Sequence, residues 1–273
     1  RPSALRERLA GGLFFALAPR LERTSQPAVP DGLLPYEDIA VERIRGEGTL
    51  SATWYPAAGE PRGAVLLLHP WVSWGRSYFH RRGRIQALRA AGHAALAVDL
   101  PGFGESGPRA GLFDLDIASG LAELRRRAPS GPWHVWGVSS GGYWAHMVLS
   151  RPHDVAGAVF EDVSSHLLKW SWRTAPLGRP IYLIFRMAFP GVYRYFDLRR
   201  HAPYLRLRAV AYISGERDRG ALAAETRDLA HLAGGTSLIV PGAGHLAAIK
   251  LANQMILDLA LETFRKAEQA GGA

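Results

Sequence analysis

Cysteine is absent from this chain, which excludes disulfides and thiol catalysis while leaving the redox compartment open. Lysine is nearly absent too, with only Lys169, Lys250 and Lys266, so the formal charge of +9 comes almost wholly from arginine. No apolar run reaches the roughly 18 to 20 residues of a membrane-spanning helix, and no internal repeat or low-complexity tract is present. The histidines show neither H-x-H nor H-E-x-x-H spacing, so no metal site is expected. An aromatic RNA-binding motif, a zinc finger and a helix-turn-helix signature are also missing. The arginines recur along the whole chain, with denser groups at 81–84, 125–127 and 194–208, so nucleic acid is not expected as a partner and a bias of the source genome explains the charge equally well. What remains is a 273-residue chain with 48% hydrophobic residues, enough for one large α/β domain with a buried core.

The strongest local signal is Gly137-Val138-Ser139-Ser140-Gly141. It follows the apolar run Trp133-His134-Val135-Trp136 and precedes a helix-like stretch, so Ser139 is read on a sharp strand-to-helix turn. Such a turn leaves no room for a Cβ two positions either side of the serine, and both positions here are glycine. Ser140 is out of register with those glycines and is expected to start the helix or line a pocket.

A serine hydroxyl becomes a nucleophile only when a histidine takes its proton and a carboxylate orients that histidine. Both types follow in order. The strand-like run Val210-Ala211-Tyr212-Ile213-Ser214 leads to Gly215-Glu216-Arg217-Asp218, and Ser237-Leu238-Ile239-Val240 leads to Pro241-Gly242-Ala243-Gly244-His245. Three carboxylates compete for the orienting role: Asp218, Glu216 two residues before it, and Asp162 at the end of the apolar run Ala156 to Phe160.

Together with Val65-Leu66-Leu67-Leu68-His69-Pro70-Trp71 and Asp99-Leu100-Pro101-Gly102-Phe103-Gly104-Glu105-Ser106-Gly107, these stretches resemble the α/β-hydrolase superfamily over about residues 37 to 265. The resemblance implies Ser139 as nucleophile, His245 as base and Asp218, through the family's G-x-x-D spacing, as the orienting acid. It also implies an oxyanion hole built from the backbone N–H groups of Ser140 and Trp71. Pro70 stands where the family usually has glycine, which alters the loop without removing the inferred donor.

Gly102-x-Gly104-x-x-Gly107 formally matches a dinucleotide fingerprint. A Rossmann unit needs those glycines to open a helix that holds pyrophosphate. Here Pro101 and Pro108 bracket a loop, so no nucleotide or other cofactor is expected.

Strands are expected over 37–44, 49–55, 64–69, 94–99, 132–137, 156–161, 209–214 and 236–241. Continuous leucine- and valine-rich runs suit strands covered on both faces, and strand–helix alternation calls for an eight-stranded, mostly parallel, doubly wound sheet. Residues 36–162 and 206–273 would form the α/β-hydrolase core. The long stretch 163–205 exceeds an ordinary connection and is expected to be a helical lid, with Pro176, Pro180 and Pro190 breaking it into short helices. Its aromatic side chains would roof the serine, and Trp170, Trp172, Phe185 and Phe189, with Trp74 of the oxyanion loop, are the candidates to contact an apolar substrate.

Ahead of the core, residues 1–35 read as an amphipathic helix and linker. Leu5, Leu9, Leu13, Phe14, Leu17 and Leu21 recur at helical spacing among arginines, so residues 1–23 either pack on the core as a helix or attach to a membrane surface. The layout resembles bacterial hydrolases with an N-terminal membrane segment. A start at arginine is consistent with an upstream stretch having been removed, and the sequence leaves the location open between cytoplasmic and membrane-associated.

The function expected from these features is a cofactor-free serine hydrolase that cleaves small-molecule carboxylic esters with an apolar acyl or lipid-like group. Thioester, amide and acyl-transfer chemistry use the same groups. The contrasting expectation is a hydrolase fold that binds a ligand without turning it over.

Overall fold

A computed structural model describes residues 29–44, 48–71, 74–107, 113–174 and 178–271. The basic segment 1–23 therefore lies outside the described residues, as does Pro176.

All eight expected strands form, each end falling within two residues of its expected position: β1 (Glu37–Glu42), β2 (Thr49–Tyr55), β3 (Gly63–Leu68), β4 (His93–Val98), β5 (Trp133–Val138), β6 (Gly157–Glu161), β7 (Ala209–Gly215) and β8 (Thr236–Val240). They join one sheet in the order β1-β2-β4-β3-β5-β6-β7-β8. Strand β2 runs antiparallel to both of its neighbours, and every pairing from β4 through β8 is parallel. The helices are α1 (Arg84–Ala90), α2 (Phe113–Arg127), α3 (Ser140–Leu149), α4 (Leu167–Thr174), α5 (Gly178–Ala188), α6 (Pro190–Tyr195), α7 (Ala223–Leu232), α8 (Ala248–Leu251) and α9 (Asn253–Gln269).

The alternation of side chains along each strand divides the interior into two cores. Leu66, Leu96, Val135, Phe160 and Tyr212 pack on one face with Ile117 and Leu121 of α2, Tyr143 and Trp144 of α3, and Leu229 of α7. Val65, Leu67, Ala95, Trp136, Val159 and Ile213 pack on the other with Ile85 and Leu88 of α1 and Ile256, Ala260 and Phe264 of α9. Because both faces are covered, β3 and β4 are buried at every residue, which is why they read in sequence as unbroken apolar runs.

Two charged groups are sealed inside this sheet. Arg84 and Glu161 are wholly buried and form an ion pair of 2.8 Å. Trp136 Nε1 donates to Glu161 at 3.3 Å, and the Arg84 guanidinium lies 4.7 Å from the Trp136 ring centre. Sequence reasoning missed this pair. Its one local signal is an acid inside the apolar strand Gly157–Glu161, a position that demands a buried partner.

Between β6 and β7 the chain leaves the sheet as α4, α5 and α6, followed by short 3-10 turns at Leu198–Arg200 and Ala202–Tyr204. The two ends of this excursion are tied to each other by the bridge pairing of His166 with Asp197 and by the Leu198 N–H to Ser165 O bond of 2.8 Å. Tyr143 of α3 fastens it from below, its hydroxyl donating to Phe196 O at 2.8 Å. Pro180 does not break a helix as expected. It lies in the first turn of α5, where a missing N–H costs no internal hydrogen bond. Pro190 starts α6.

Candidate active site

Val138 ends β5 and Ser140 opens α3, so Ser139 alone must reverse the chain direction. It does so at φ 48° and ψ −113°, a strained conformation for a residue with a side chain. The neighbouring glycines make the turn possible: a Cβ on Gly137 would stand 2.4 Å from Gly142 Cα, and one on Gly141 would stand 2.5 Å from both Leu68 O and His69 O. The second contact also explains why the end of β3 abuts this turn. The strain is held from below by the Ser139 N–H, which donates to Glu161 O at 2.7 Å.

Ser139 Oγ lies 3.0 Å from His245 Nε2, and His245 Nδ1 lies 2.8 Å from Asp218 Oδ2. A carboxylate facing Nδ1 fixes the proton there and leaves the Nε2 lone pair toward the hydroxyl. The other Asp218 oxygen accepts the Gly220 and Ala221 N–H groups at 2.7 and 2.9 Å, so this carboxylate is fully engaged and cannot turn away. Burial disfavours a charged His245, but Asp218, Asp162 and Glu161 outweigh it, and the net effect raises its pKa. A hydroxyl, an imidazole and a carboxylate so aligned can move a proton off the serine oxygen as it bonds to a substrate.

The two competing carboxylates have other partners. Glu216 accepts the Gly242 N–H at 2.9 Å. Asp162, one residue past β6 at φ 52°, accepts the Leu246 N–H at 2.8 Å and so holds the backbone next to His245. Burial, then the nearby charge of Glu161, pushes the Asp162 carboxyl up to about 8.

Ser140 is the first residue of α3, where a backbone N–H has no acceptor within the helix. Trp71 lies three residues past the end of β3, its indole edge-on to Phe103 at 5.5 Å. His69 shapes this loop: it is wholly buried, Nε2 accepts the Leu100 N–H at 2.9 Å, and Nδ1 donates to Pro70 O at 2.7 Å. Burial lowers its pKa, keeping the ring neutral. The segment 99–107 forms turns, and Asp99 in it accepts from Arg76 through the backbone N–H at 2.6 Å and the guanidinium at 2.8 Å.

The five aromatic candidates for substrate contact separate into two groups. Trp170 lies against the loop after Asp218, with its indole 2.6 Å from where a Cβ on Gly220 would be, and Phe185 is buried in the core. Trp74, Trp172 and Phe189 are open to solvent.

Among the described residues, no helix is long and apolar enough to cross a membrane. The family profile for the alpha/beta hydrolase fold matches residues 63–197. An esterase from Pyrococcus furiosus is similar in structure, with a TM-score of 0.73, 20% identity, and coverage of 91% of this chain and 99% of the other. A thermostable carboxyl esterase from Bacillus coagulans is similar with a TM-score of 0.69 at 13% identity, covering 85% and 99% respectively. A stretch of 113 residues, 40% of this chain, is 29% identical to the human "Putative protein-lysine deacylase ABHD14B" and spans 53% of that relative's length. The matched profile, the shared architecture and the turn at Ser139 agree: the chain belongs to the α/β-hydrolase superfamily.

Proposed function

We propose that this protein is a serine hydrolase that cleaves carboxylic esters bearing an apolar acyl or lipid-like group. The observation that carries the reading is the continuous path from Asp218 through His245 to Ser139, at 2.8 and 3.0 Å, ending on a serine held in a strained turn. In this reading Ser139 Oγ attacks the ester carbonyl while His245 Nε2 takes its proton. The same proton passes to the leaving alcohol oxygen as the ester bond breaks and an acyl-enzyme forms. Asp218 stabilises the imidazolium between these transfers. Water, deprotonated by His245, then releases the acid and restores the serine. The N–H groups of Ser140 and Trp71 receive the oxyanion, each worth about 10²–10³ in rate.

Residues 36–162 and 206–273 act here as the catalytic core and 163–205 as its lid. The apolar preference draws its support from Trp170 beside the Asp218 loop and Phe185 on the buried side of α5. A fluorophosphonate probe tests the central claim. Covalent labelling of the protein, lost in Ser139→Ala, is the expected result, and a folded protein that takes no label would sink it. p-Nitrophenyl esters of graded acyl length test the apolar preference, and a flat profile would remove it. The partial match to a protein named as a lysine deacylase favours one second reading, hydrolysis of an acyl-lysine amide. An acylated lysine peptide assayed beside the esters separates the two.

A further inference from the structure

The insertion carries two apolar faces, and one of them has no place in the reaction. Helix α5 turns Phe185 inward and packs Ile181 and Tyr182 against the core. Leu183, Ile184 and Met187, on the opposite side at the i, i+1 and i+4 positions of one stripe, are 42, 52 and 73% exposed. Phe189, at the turn into α6, extends this outer surface and is 48% exposed. Four large apolar side chains within seven residues, all facing water, are unlike the scattered single exposures that soluble surfaces tolerate.

The charges carried by this segment have one sign. From residue 163 to residue 196 the chain contains Lys169, Arg173, Arg179, Arg186 and Arg194 and no aspartate or glutamate. Arg179 and Arg186 are exposed on α5 with the apolar stripe, and Arg194 is exposed on α6. The first two lie over aromatic rings that are themselves near the surface, Arg179 over Trp172 at 5.6 Å and Arg186 over Tyr182 at 5.9 Å. An apolar stripe rimmed by arginines and amphipathic rings matches the boundary between acyl chains and anionic headgroups.

We propose that the outer face of α5 and α6 docks on an anionic lipid surface, with Leu183, Ile184 and Met187 entering the acyl boundary and Arg179, Arg186 and Arg194 meeting the headgroup charge. The proposal is independent of what the serine does, because the stripe lies on the far side of α5 from Phe185. It also differs from attachment through residues 1–23, which lie in another part of the chain.

The full chain is incubated with sedimentable vesicles of phosphatidylcholine, pure or containing about 30% phosphatidylglycerol. Wild-type protein is expected to sediment with the anionic vesicles, less with the pure ones, and less as salt rises. Leu183→Glu with Met187→Glu is expected to weaken that binding at least about tenfold while unfolding temperature and turnover of a small soluble ester stay unchanged. If that double variant folds poorly, Arg186→Gln with Arg194→Gln serves instead, with about a fivefold loss on anionic vesicles and a flatter salt dependence. Unchanged binding by the folded apolar variant would assign attachment to another segment and overturn the proposal. Equal binding to both vesicle types would overturn it too. So would a change of oligomeric state in the variant without a change in lipid binding, because the face would then belong to a second copy of the chain.

Discussion

Strand β5 has an imidazole–carboxylate cluster near each end, and the two clusters behave oppositely. Past its C-terminus His245 faces Asp218, with Asp162 and Glu161 nearby, and its pKa is raised against the effect of burial. Near its N-terminus His134 and His93 share one carboxylate, Glu268, at 3.5 and 2.7 Å, and Arg62 takes the other Glu268 oxygen at 2.8 Å. There burial prevails and lowers the pKa of both histidines. Glu268 is itself drawn down to about 2, because its bonds to His134 and His93 outweigh its own burial. The result is an ionised carboxylate that accepts a bond from His93 at 2.7 Å and lies 3.5 Å from His134, which is stacked 4.6 Å from Phe264. The same two functional groups therefore serve different ends. A surplus of carboxylates at a partly open imidazole favours proton transfer, whereas one carboxylate divided among two buried histidines and an exposed arginine fastens α9 to the sheet.

The sharpest break of this contrast is kinetic. Ser139→Ala is expected to lower kcat by about 10⁴-fold or more, measured on a p-nitrophenyl ester, while Glu268→Gln leaves kcat per folded molecule unchanged. Within the upper cluster, Asp218→Asn should cost about 10³–10⁴-fold, because the histidine loses its orienting partner. Asp162→Asn should stay within about tenfold, because asparagine tolerates the positive φ and keeps an acceptor for the Leu246 N–H. Loss of turnover in Asp162→Asn alone would reassign the acid.

Stability supplies the next contrast. Arg84→Ala leaves Glu161 as an unpaired buried charge beneath the Ser139 turn and should cost about 3–5 kcal/mol in urea unfolding. Glu268→Gln, which leaves His93 and His134 with a weaker partner, should cost about 1–3 kcal/mol.

The smallest effects are in pH dependence. His245 must be neutral to accept a proton, so kcat/KM should fall as pH drops through its raised pKa, with the acidic limb above the usual histidine value. Asp218→Asn should move that limb downward. At the other cluster the signs follow from linkage. Glu268 is depressed in the folded state, so its contribution is present above the unfolded value near 4.5 and is lost as pH falls toward about 2. His93 and His134 are also depressed, so the unfolded chain takes up protons first and stability starts to decline below about 6.5. Unfolding free energies from pH 8 to pH 3 should show both declines in wild type, with the lower one smaller in Glu268→Gln, the other depressed carboxylates supplying the remainder.

The upper cluster was legible in the sequence because each of its members lies within five residues after a strand, and strands buried on both faces announce themselves as continuous runs. The lower cluster was not, since His93 and Glu268 are 175 residues apart and neither belongs to any spacing rule. Arg84 and Glu161 escaped for the same reason, 77 residues apart. The aromatic content of the insertion was readable from composition, but the direction each ring faces depends on the roll of short helices. Trp172 and Phe189 consequently lie on the outside, whereas Trp170 lies beside the Asp218 loop.

The excursion between β6 and β7 departs and returns through adjoining backbone, Ser165 and His166 beside Asp197 and Leu198. A protrusion mounted on so narrow a neck can be lengthened, shortened or exchanged without moving the strands that carry the serine and the histidine. The insertion is therefore the natural place for grafting, where a new selectivity could be fitted onto an unaltered chemical engine.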